Sequence, residues 1–236
     1  MELKSGYNLR DQYRAHGLEV QYEPRLKITE TFLSLQGEGS HSGLPCYFIR
    51  LTGCPLRCVY CDSDYAFQGG EWRSFSAIID DLKQSGCKLV QVTGGEPLAQ
   101  KAVFPFIHQL CEDGFRVLLE TSGAISLTGL HPDCHIVMDI KTPGSQEQDR
   151  NTWNNLDLLK SSDEVKLVLT SMEDWDWALA VIKEKKLDRR FKVLISTIPE
   201  PEELKQLVAE ALIESGINAR FQLQLHKIIW GEVPGK

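Results

Sequence analysis

The sequence predicts an α/β protein with a mostly parallel sheet, arranged as a partial or complete (β/α) barrel or, alternatively, as an open doubly wound sheet. Short apolar runs alternate with helical patterns along the chain, and a helix is the usual crossover between parallel strands. The runs are nearly continuous in apolar character, which is typical of strands covered on both faces. Clusters of chemically reactive residues follow most of these runs, as active-site loops do in such folds.

The individual elements are predicted from hydrophobic periodicity. Strands are expected near residues 28–34, 46–51, 88–93, 116–121, 135–140, 164–170, 191–197 and 220–226. Helices are expected within 75–82, 100–113, 173–186 and 204–212, with Gly86 and Gly216 as helix stops. No internal repeat or low-complexity linker interrupts this order. We therefore expect one domain over residues 27–236, preceded by a polar surface extension over residues 1–26 to which we assign no function.

The composition narrows the class of function. The chain has 236 residues and a net charge of −7, which argues against a large nucleic-acid footprint because phosphate binding needs an excess of Lys and Arg. The longest apolar runs are only as long as strands, so no membrane span is expected. The first residues lack the apolar core of a signal peptide, and we expect a cytoplasmic protein. Seven cysteines in such a protein indicate metal binding or buried thiols.

Polar motifs follow six of the predicted strands. They are SLQGEGS, the cysteine loop TGCPLRCVYC, TGGEP, ETSG, DIKTPGS and QLHK. The carboxyl ends of the strands in a parallel barrel share one rim, and such folds place their active sites there. The sequence therefore predicts a single catalytic site on that rim.

Three cysteines lie within eight residues of this sequence. Cys54 and Cys58 are separated by three residues, and Cys58 and Cys61 by two. Closely spaced thiolates bind iron–sulfur centres, zinc or copper(I). Three thiolates on a four-iron cluster leave one iron open for a substrate or cofactor. The alternatives are a zinc site completed by Cys46 or His41, or buried thiols without a metal.

The motifs on the following strands carry groups that suit a charged cofactor. Gly95 allows the backbone to approach a ligand closely, and the carboxylate of Glu96 can pair with an ammonium group. Thr121, Asp139 and Lys141 supply a hydroxyl, a carboxylate and an ammonium group at two further strand ends. The alternatives for these residues are a tight turn, helix N-capping or a surface salt bridge.

The cysteine spacing, with Tyr60 before the last cysteine, resembles the signature of the radical S-adenosylmethionine (SAM) superfamily, and Thr93–Pro97 resembles its glycine-rich stretch. The resemblance implies a partial (β/α) barrel of the radical SAM type, with a 4Fe-4S cluster on Cys54, Cys58 and Cys61. The open iron would bind the amino and carboxylate groups of SAM, and reduction would yield a hydrogen-abstracting 5′-deoxyadenosyl radical. Contacts to SAM would come from Gly95, Glu96, Thr121, Asp139, Ile140 and Lys141.

A narrower resemblance covers several segments in order. The segments Thr31–Gly39, Phe48–Leu51, Cys61–Ser63, Asp163–Lys166 and Gln222–Trp230 are similar to the 7-carboxy-7-deazaguanine synthases. That family converts 6-carboxy-5,6,7,8-tetrahydropterin to 7-carboxy-7-deazaguanine with loss of ammonia, in 7-deazapurine biosynthesis. The resemblance implies a lyase in which hydrogen is taken from C6 of the pterin, the ring contracts and hydrogen returns from 5′-deoxyadenosine.

This resemblance also implies which residues contact the pterin. A pterin presents a pyrimidinone edge and a carboxylate. The amide of Gln36 and the carboxylate of Glu38 match the edge, and the guanidinium of Arg50 matches the carboxylate. The full set of implied contacts is Leu35, Gln36, Gly37, Glu38, Arg50, Thr93 and His226. As alternatives, Arg50 pairs only with a neighbouring acid and His226 is a core histidine.

The family also implies a magnesium ion, an electron donor and a second subunit. Magnesium would bind Ser63, at a position that often holds Thr, and would hold the substrate carboxylate. The electron donor would be a flavodoxin-type or ferredoxin protein, and the enzyme would be a homodimer. Some resembling proteins contact the substrate through a terminal proline carboxylate, whereas Pro234 is followed here by two residues.

Two alternative functions remain at this stage. A glycyl-radical-enzyme activase shares the cysteine spacing and the chain size but acts on a protein backbone, which requires a wide groove. The motifs SLQGEG and QLHK, read as contacts to a small molecule, do not favour it. A non-catalytic zinc module is the second alternative.

Overall fold

The computed structural model describes residues 23–231, 233 and 235, and in this part the chain forms one nine-stranded sheet. The order across the sheet is β3-β1-β2-β4-β5-β6-β7-β8-β9. The strands are β1 (Arg25–Leu35), β2 (Pro45–Leu51), β3 (Glu71–Ser74), β4 (Leu89–Gly94), β5 (Arg116–Thr121), β6 (His135–Asp139), β7 (Glu164–Leu169), β8 (Lys192–Thr197) and β9 (Ala219–Phe221).

Helices connect most of the parallel strands. They are α1 (Phe75–Ser85), α2 (Val103–Glu112), α3 (Met172–Lys185), α4 (Leu187–Arg190), α5 (Glu203–Ser215) and α6 (Leu225–Trp230). The predicted stops are confirmed, because Gly86 and Gly216 end α1 and α5 in the left-handed conformation. No helix of the described residues is both long enough and apolar enough to cross a membrane.

The sheet is mostly parallel and open. Strands β2 and β4 to β9 pair in parallel, whereas β1 pairs antiparallel with both β2 and β3. Strands β3 and β9 lie at the two ends of the order and do not pair with each other. The predicted partial barrel with a mostly parallel sheet is therefore confirmed.

The position predicted for the motif SLQGEGS is wrong. Leu35 at the end of β1 pairs with Pro45 at the start of β2, so the connection between them lies at the amino end of the parallel strands. The amide of Gln36 donates to the carbonyl oxygen of Leu44 at 2.8 Å, and Gly43 donates back to Gln36 at 2.8 Å. Such a short connection can join only antiparallel strands. The motif therefore approaches the barrel from the end opposite the cysteine loop.

The end of the last predicted strand is also wrong. Strand β9 stops at Phe221, and His226 lies on the short helix α6. The alternation of Gln and Leu over 222–225 is a strand-like pattern, which explains the prediction. In the structure these residues follow the strand, and the side-chain amides of Gln222 and Gln224 donate to the carboxylate of Glu38. The polar strand β3 was not predicted, because its sequence EWRS carries a single apolar residue.

The boundary between extension and domain is only partly described. Strand β1 begins at Arg25, two residues before the predicted start of the domain at residue 27. Leu26 also precedes that start and is fully buried in the core. Residues 1–22 lie outside the described residues, as does Pro234. The predictions of a surface extension and of a terminal contact therefore stay predictions.

The two faces of the sheet differ in chemistry. Side chains on one face, such as Ile49, Val92 and Leu119, form the hydrophobic core together with α1 to α5. Residues that alternate with them point to the other face, which is the inside of the partial barrel. The inside carries a small apolar cluster of Cys46, Leu89 and Leu118, and polar or charged residues beyond it: Arg50, Gln91, Thr93, Glu120, Asp139 and Lys166. The fold thereby lines the barrel with polar groups.

The core predicts a clear difference between two leucines. Leu119 is fully buried in β5, whereas Leu207 on α5 is 48% exposed. We expect Leu119→Ala to lower the free energy of unfolding by about 2–5 kcal/mol because it leaves a cavity. The control Leu207→Ala should change it by less than about 0.5 kcal/mol. Urea unfolding followed by circular dichroism measures both, and equal shifts of the two midpoints would contradict this assignment of the core.

Candidate functional site

The cysteine loop leaves the carboxyl end of β2 and is tied to its surroundings by backbone contacts. Gly53 donates to the carbonyl oxygen of Ala66 at 2.8 Å, and Val59 donates to that of Ser145 at 3.3 Å. The guanidinium of Arg57 donates to the carbonyl oxygen of Cys54 at 2.8 Å. These contacts hold the loop in one shape although it has no regular secondary structure.

The three thiols of the loop are half-buried and have raised pKa values. Burial raises the pKa of Cys54, Cys58 and Cys61, and brings that of Cys58 to about 11. Without a metal the thiols are therefore protonated at neutral pH. Metal binding has to release those protons, because the thiolate is the ligand.

The glycine-rich stretch lies directly against the cysteine loop. A Cβ atom on Gly95 would overlap the carbonyl oxygen of Gly53 and lie 2.7 Å from the Cβ of Cys54. Gly94 has a φ of +152° and leaves no room for a Cβ beside the backbone of Leu51. Both positions require glycine because backbone contacts backbone there. The predicted approach of Gly95 to the cluster loop is therefore present.

The carboxylate of Glu96 is fully buried and saturated with hydrogen bonds. It accepts from the hydroxyls of Thr121 and Ser122 at 2.8 and 2.6 Å, and from the backbone of Ser122 and Leu98 at 2.7 and 2.9 Å. These bonds join the glycine-rich stretch to the end of β5. A contact of Glu96 with SAM stays a prediction, and the observed contacts give this residue a positioning role.

Asp139 and Lys141 form a buried ion pair beside the cysteine loop. The Nζ of Lys141 lies 2.8 Å from one carboxylate oxygen of Asp139 and 5.7 Å from the centre of the Tyr60 ring. Burial alone would lower the pKa of Lys141, but Asp139 raises it above its ordinary value. The other oxygen, Oδ1 of Asp139, is buried without a hydrogen-bond partner among the described residues. A buried acceptor of this kind suits an ammonium donor on a ligand.

A second polar group lies inside the barrel around Glu38, and Gln224 links it to the cysteine loop, because its Nε2 lies 3.4 Å from Oδ2 of Asp62. The carboxylate of Glu38 accepts from Lys166 at 3.0 Å, from Gln222 at 3.1 Å and from Gln224 at 2.9 Å. Lys166 also contacts Glu120. Burial alone would lower the pKa of Lys166, but these two carboxylates raise it well above its ordinary value. Lys166 is therefore protonated at neutral pH and forms ion pairs with both Glu38 and Glu120.

The sequence reasoning missed Gln91, Lys166, Gln222 and Gln224 as members of this site, and it identified Glu120 only as part of the motif ETSG at a strand end. Lys166 lies in one of the segments that carried the family resemblance, and the two glutamines precede His226 in QLQLH. The available signal was a polar residue that interrupts or ends each apolar run, Gln91 in β4, Glu120 in β5 and Lys166 in β7.

Arg50 lies beside the end of the cysteine loop. Its Nε donates to Glu30 at 2.7 Å, so Arg50 does pair with a neighbouring acid, and whether it also binds the substrate stays a prediction. Its Nη1 lies 3.5 Å from the hydroxyl of Ser63. Tyr65 donates to the same carboxylate of Glu30 at 2.8 Å. Glu30 thus holds the guanidinium on one edge and leaves the other edge towards Ser63.

Ser63 lies next to an anionic oxygen. Its hydroxyl donates to Oδ1 of Asp62 at 2.9 Å. Burial alone would raise the pKa of Asp62, but Lys227 and the bond from Ser63 lower it to about 2. Two hard oxygen atoms therefore lie together at the end of the cysteine loop, as a magnesium site needs.

The remaining predicted residues surround the barrel interior. Thr93 is buried on β4, two residues beyond Gln91 and on the same face of the sheet. Leu35 is the last residue of β1. The backbone of Leu225 donates to the carbonyl oxygen of Gly37 at 3.0 Å. A Cβ on Gly37 would overlap the imidazole of His226, so the hairpin that joins β1 to β2 (residues 36–44) is in direct contact with α6.

Taken together, the structure brings Gln36, Gly37, Glu38 and His226 to one end of the barrel. It brings Gly95, Thr121, Asp139, Ile140 and Lys141 near the cysteines at the other end. Arg50 and Ser63 lie together at the end of the cysteine loop.

The zinc alternative requires several ligands around one ion. Within residues 23–231, no group of three or more His, Cys, Asp and Glu side chains lies close enough to hold a single metal ion. A four-iron cluster binds each thiolate on a different iron, so its ligands do not have to converge on a point.

Comparison with known proteins identifies the family. The model of the Radical SAM superfamily matches residues 48–211. The 7-carboxy-7-deazaguanine synthase of Koribacter versatilis is 35% identical over 223 residues, covering 87% of this chain and 97% of the relative. That of Methanospirillum hungatei is 39% identical over 208 residues, covering 86% and 85%. These relatives do not favour a glycyl-radical-enzyme activase.

Solved structures agree on the fold. QueE from Escherichia coli superposes with a TM-score of 0.69 at 23% identity, covering 84% of this chain and 94% of that chain. The structure of TYW1 with a bound lysine-pyruvate adduct superposes with a TM-score of 0.52 at 13% identity, covering 72% and 73%. With the match to the superfamily model and the near-full-length similarity to named relatives, the chain belongs to the radical SAM superfamily and, within it, to the family of 7-carboxy-7-deazaguanine synthases.

Proposed function

We propose that this chain converts 6-carboxy-5,6,7,8-tetrahydropterin to 7-carboxy-7-deazaguanine with release of ammonia, in the biosynthesis of 7-deazapurines. The observation that carries the proposal is the polar interior of the barrel. Gln36 and Glu38 at one end offer partners for a pyrimidinone edge, and Arg50 and Ser63 nearer the cysteine loop offer partners for a carboxylate. A bicyclic pterin acid carries both groups.

Cys54, Cys58 and Cys61 would hold the 4Fe-4S cluster. Three soft sulfur ligands on a half-buried loop fit such a cluster, and three ligands leave one iron for SAM. When bound and reduced, the cluster and SAM together supply the hydrogen-abstracting radical chemistry. The protein covers the loop with Gly94 and Gly95, which keeps its backbone within contact distance of the ligands.

The SAM contacts follow from groups with spare hydrogen-bonding capacity. The free oxygen of Asp139 can accept from an ammonium group, and Lys141 places a cation beside the loop. The side chain of Ile140 is buried in the hydrophobic core, so this residue would contact SAM only through its backbone. Thr121 already donates to Glu96, so it would contact SAM only through its remaining lone pair.

The pterin would lie between the two ends of the barrel. Glu38 is an oriented acceptor for amino and ring N–H groups, because Lys166 and two glutamines fix its carboxylate. The free edge of Arg50 would bind the substrate carboxylate. Thr93 and His226 would close the pocket from β4 and α6, with Leu35 and Gly37 below.

Magnesium would bind at Ser63. The neighbouring carboxylate of Asp62 has a lowered pKa and is anionic at neutral pH, and magnesium prefers hard oxygen ligands and keeps several waters. The ion would link this end of the cysteine loop to the substrate carboxylate. We also propose a flavodoxin or ferredoxin electron donor, a homodimer and a cytoplasmic location, which rest on the family alone.

One anaerobic assay tests the reaction. The reconstituted and reduced enzyme is incubated with SAM, magnesium and the carboxytetrahydropterin, and the product is identified by its mass and ultraviolet spectrum. We expect 7-carboxy-7-deazaguanine and ammonia in equal amounts, and none when SAM or the reductant is omitted. A fully reduced enzyme that leaves the pterin unchanged would refute the proposal.

The cluster ligands can be tested without the substrate. We expect Cys58→Ala to lower the iron bound after anaerobic reconstitution from about four atoms per chain to below about one, because a ligand is lost. The control is Cys111→Ala on α2, which should keep the bound iron and the absorption of the cluster at about 400 nm. Iron and sulfide analysis measures both. Equal iron in the two variants would rule out Cys58 as a ligand.

The proposed magnesium ligand predicts a specific kinetic change. We expect Ser63→Ala to lower kcat/KM for the pterin by about tenfold or more and to weaken its dependence on magnesium, because the hydroxyl is lost. The matched variant Ser63→Thr keeps the hydroxyl and should keep both. Initial rates over a range of magnesium concentrations give the answer, and an unchanged magnesium response in Ser63→Ala would speak against this site.

A further inference from the structure

Four side chains inside the barrel form one continuous chain of hydrogen bonds. Lys166 donates to Oε1 of Glu120, and Oε2 of Glu120 accepts from Nε2 of Gln91 at 3.0 Å. Oε1 of Gln91 in turn accepts from Nε2 of Gln36 at 2.9 Å. The chain ends at the hairpin, where Oε1 of Gln36 accepts from the backbone amide of Glu38 at 3.2 Å.

The direction of this chain is fixed by its charged end. Lys166 has only donors and an ionised Glu120 has only acceptors, so neither can reverse its part. Burial alone would raise the pKa of Glu120, but Lys166 lowers it, which keeps the carboxylate ionised. An amide can turn over and exchange its oxygen and nitrogen at almost no cost to its shape. Gln91 must therefore turn its NH2 to Glu120, and Gln36 must turn its NH2 to Gln91.

Both amides are buried, so water does not offer substitute partners. Gln36 and Gln91 are 7% and 3% exposed. A reversed Gln91 would face Gln36 with a donor against a donor and would leave an unsatisfied group in the interior, which is costly. The orientation of Gln36 decides which of its atoms remains for a ligand in the barrel. Gln36 is held in this orientation from two sides, by the backbone amide of Glu38 and, through Gln91, by Glu120.

We propose that Glu120, acting through Gln91, is a positioning residue that sets the donor and acceptor pattern of Gln36 towards the substrate. The ligand class is a fused pyrimidinone with a defined order of carbonyl and amino groups along its edge. The inference rests on the proposed function, in which Gln36 contacts that edge. A site with a fixed pattern discriminates strongly against a ligand with mismatched groups, because buried donors and acceptors would be left unpaired.

The test compares one isosteric variant with an exchange of the two residues. In Glu120→Gln, Lys166 holds the new amide oxygen, so the NH2 of residue 120 faces Gln91 and favours a reversed Gln91. The backbone amide of Glu38 still holds Gln36 in its original orientation, and the two amides then conflict. In the double variant Gln91→Glu/Glu120→Gln, the carboxylate moves to position 91. It accepts from the NH2 of Gln36 and from the NH2 of the amide at position 120, and the oxygen of that amide accepts from Lys166. The exchange keeps the net charge and restores the direction of the chain, whereas Glu120→Gln does neither.

We expect Glu120→Gln to raise KM for the pterin about tenfold with a smaller effect on kcat, because one well-oriented hydrogen bond is lost. The double variant should recover most of that affinity. Wild-type KM in Glu120→Gln would overturn the proposal. Failure of the exchange to recover affinity would also overturn it, since a direct or purely structural role of Glu120 is not restored by moving the carboxylate.

A second measurement does not depend on the substrate. Nuclear magnetic resonance of the side-chain amides in the reconstituted enzyme should show one NH2 pair each for Gln36 and Gln91. Glu120→Gln should broaden or double the Gln36 signals, and the double variant should return a single set. A single unshifted set in Glu120→Gln would refute the relay whatever the substrate is. Failure of the pterin assay with the relay intact would refute only the proposed function.

Discussion

The buried ammonium group of Lys166 is the interaction on which the arrangement of the site depends. A charge inside a protein is tolerated only when partners surround it, because removal from water is expensive. Its two partners come from different parts of the chain, Glu38 from the hairpin after β1 and Glu120 from β5. If the hairpin left the barrel, Lys166, Gln222 and Gln224 would all lose their contacts with the Glu38 carboxylate. This constraint explains why a segment at the amino end of the sheet stays inside a barrel whose cluster loop lies at the carboxyl end.

The two ends of the barrel use different means to hold their shape. At the cysteine end, backbone contacts backbone through Gly94 and Gly95, and the buried carboxylate of Glu96 collects donors from two loops. At the hairpin end, side-chain amides and charges make the contacts. The first arrangement suits a cofactor that every member of a superfamily shares. The second suits a substrate, because side chains can be exchanged without moving the backbone.

The sequence predicts the α/β class and the cluster ligands because local signals carry them. Periodicity gives the strands and helices, and the spacing of Cys54, Cys58 and Cys61 lies within one loop. The direction of β1 was missed, since strand patterns contain no information on whether a neighbour is parallel. Helix α6 was missed because four alternating residues suited a strand equally well. The partners of Glu38 were missed because they are far away along the chain, and no periodicity reports such contacts.

The distance along the chain between Glu38 and its glutamine partners has a kinetic consequence. The contacts with Gln222 and Gln224 span 184 and 186 positions. Contacts between such distant residues close large loops, and their entropy cost is met only after the intervening strands have assembled. The contacts around Glu38 are therefore expected to form late in folding, after the sheet that carries the cysteine loop. In a nascent or partly unfolded molecule, the cysteine loop would then form before the contacts of Glu38 with Gln222 and Gln224 complete the pocket.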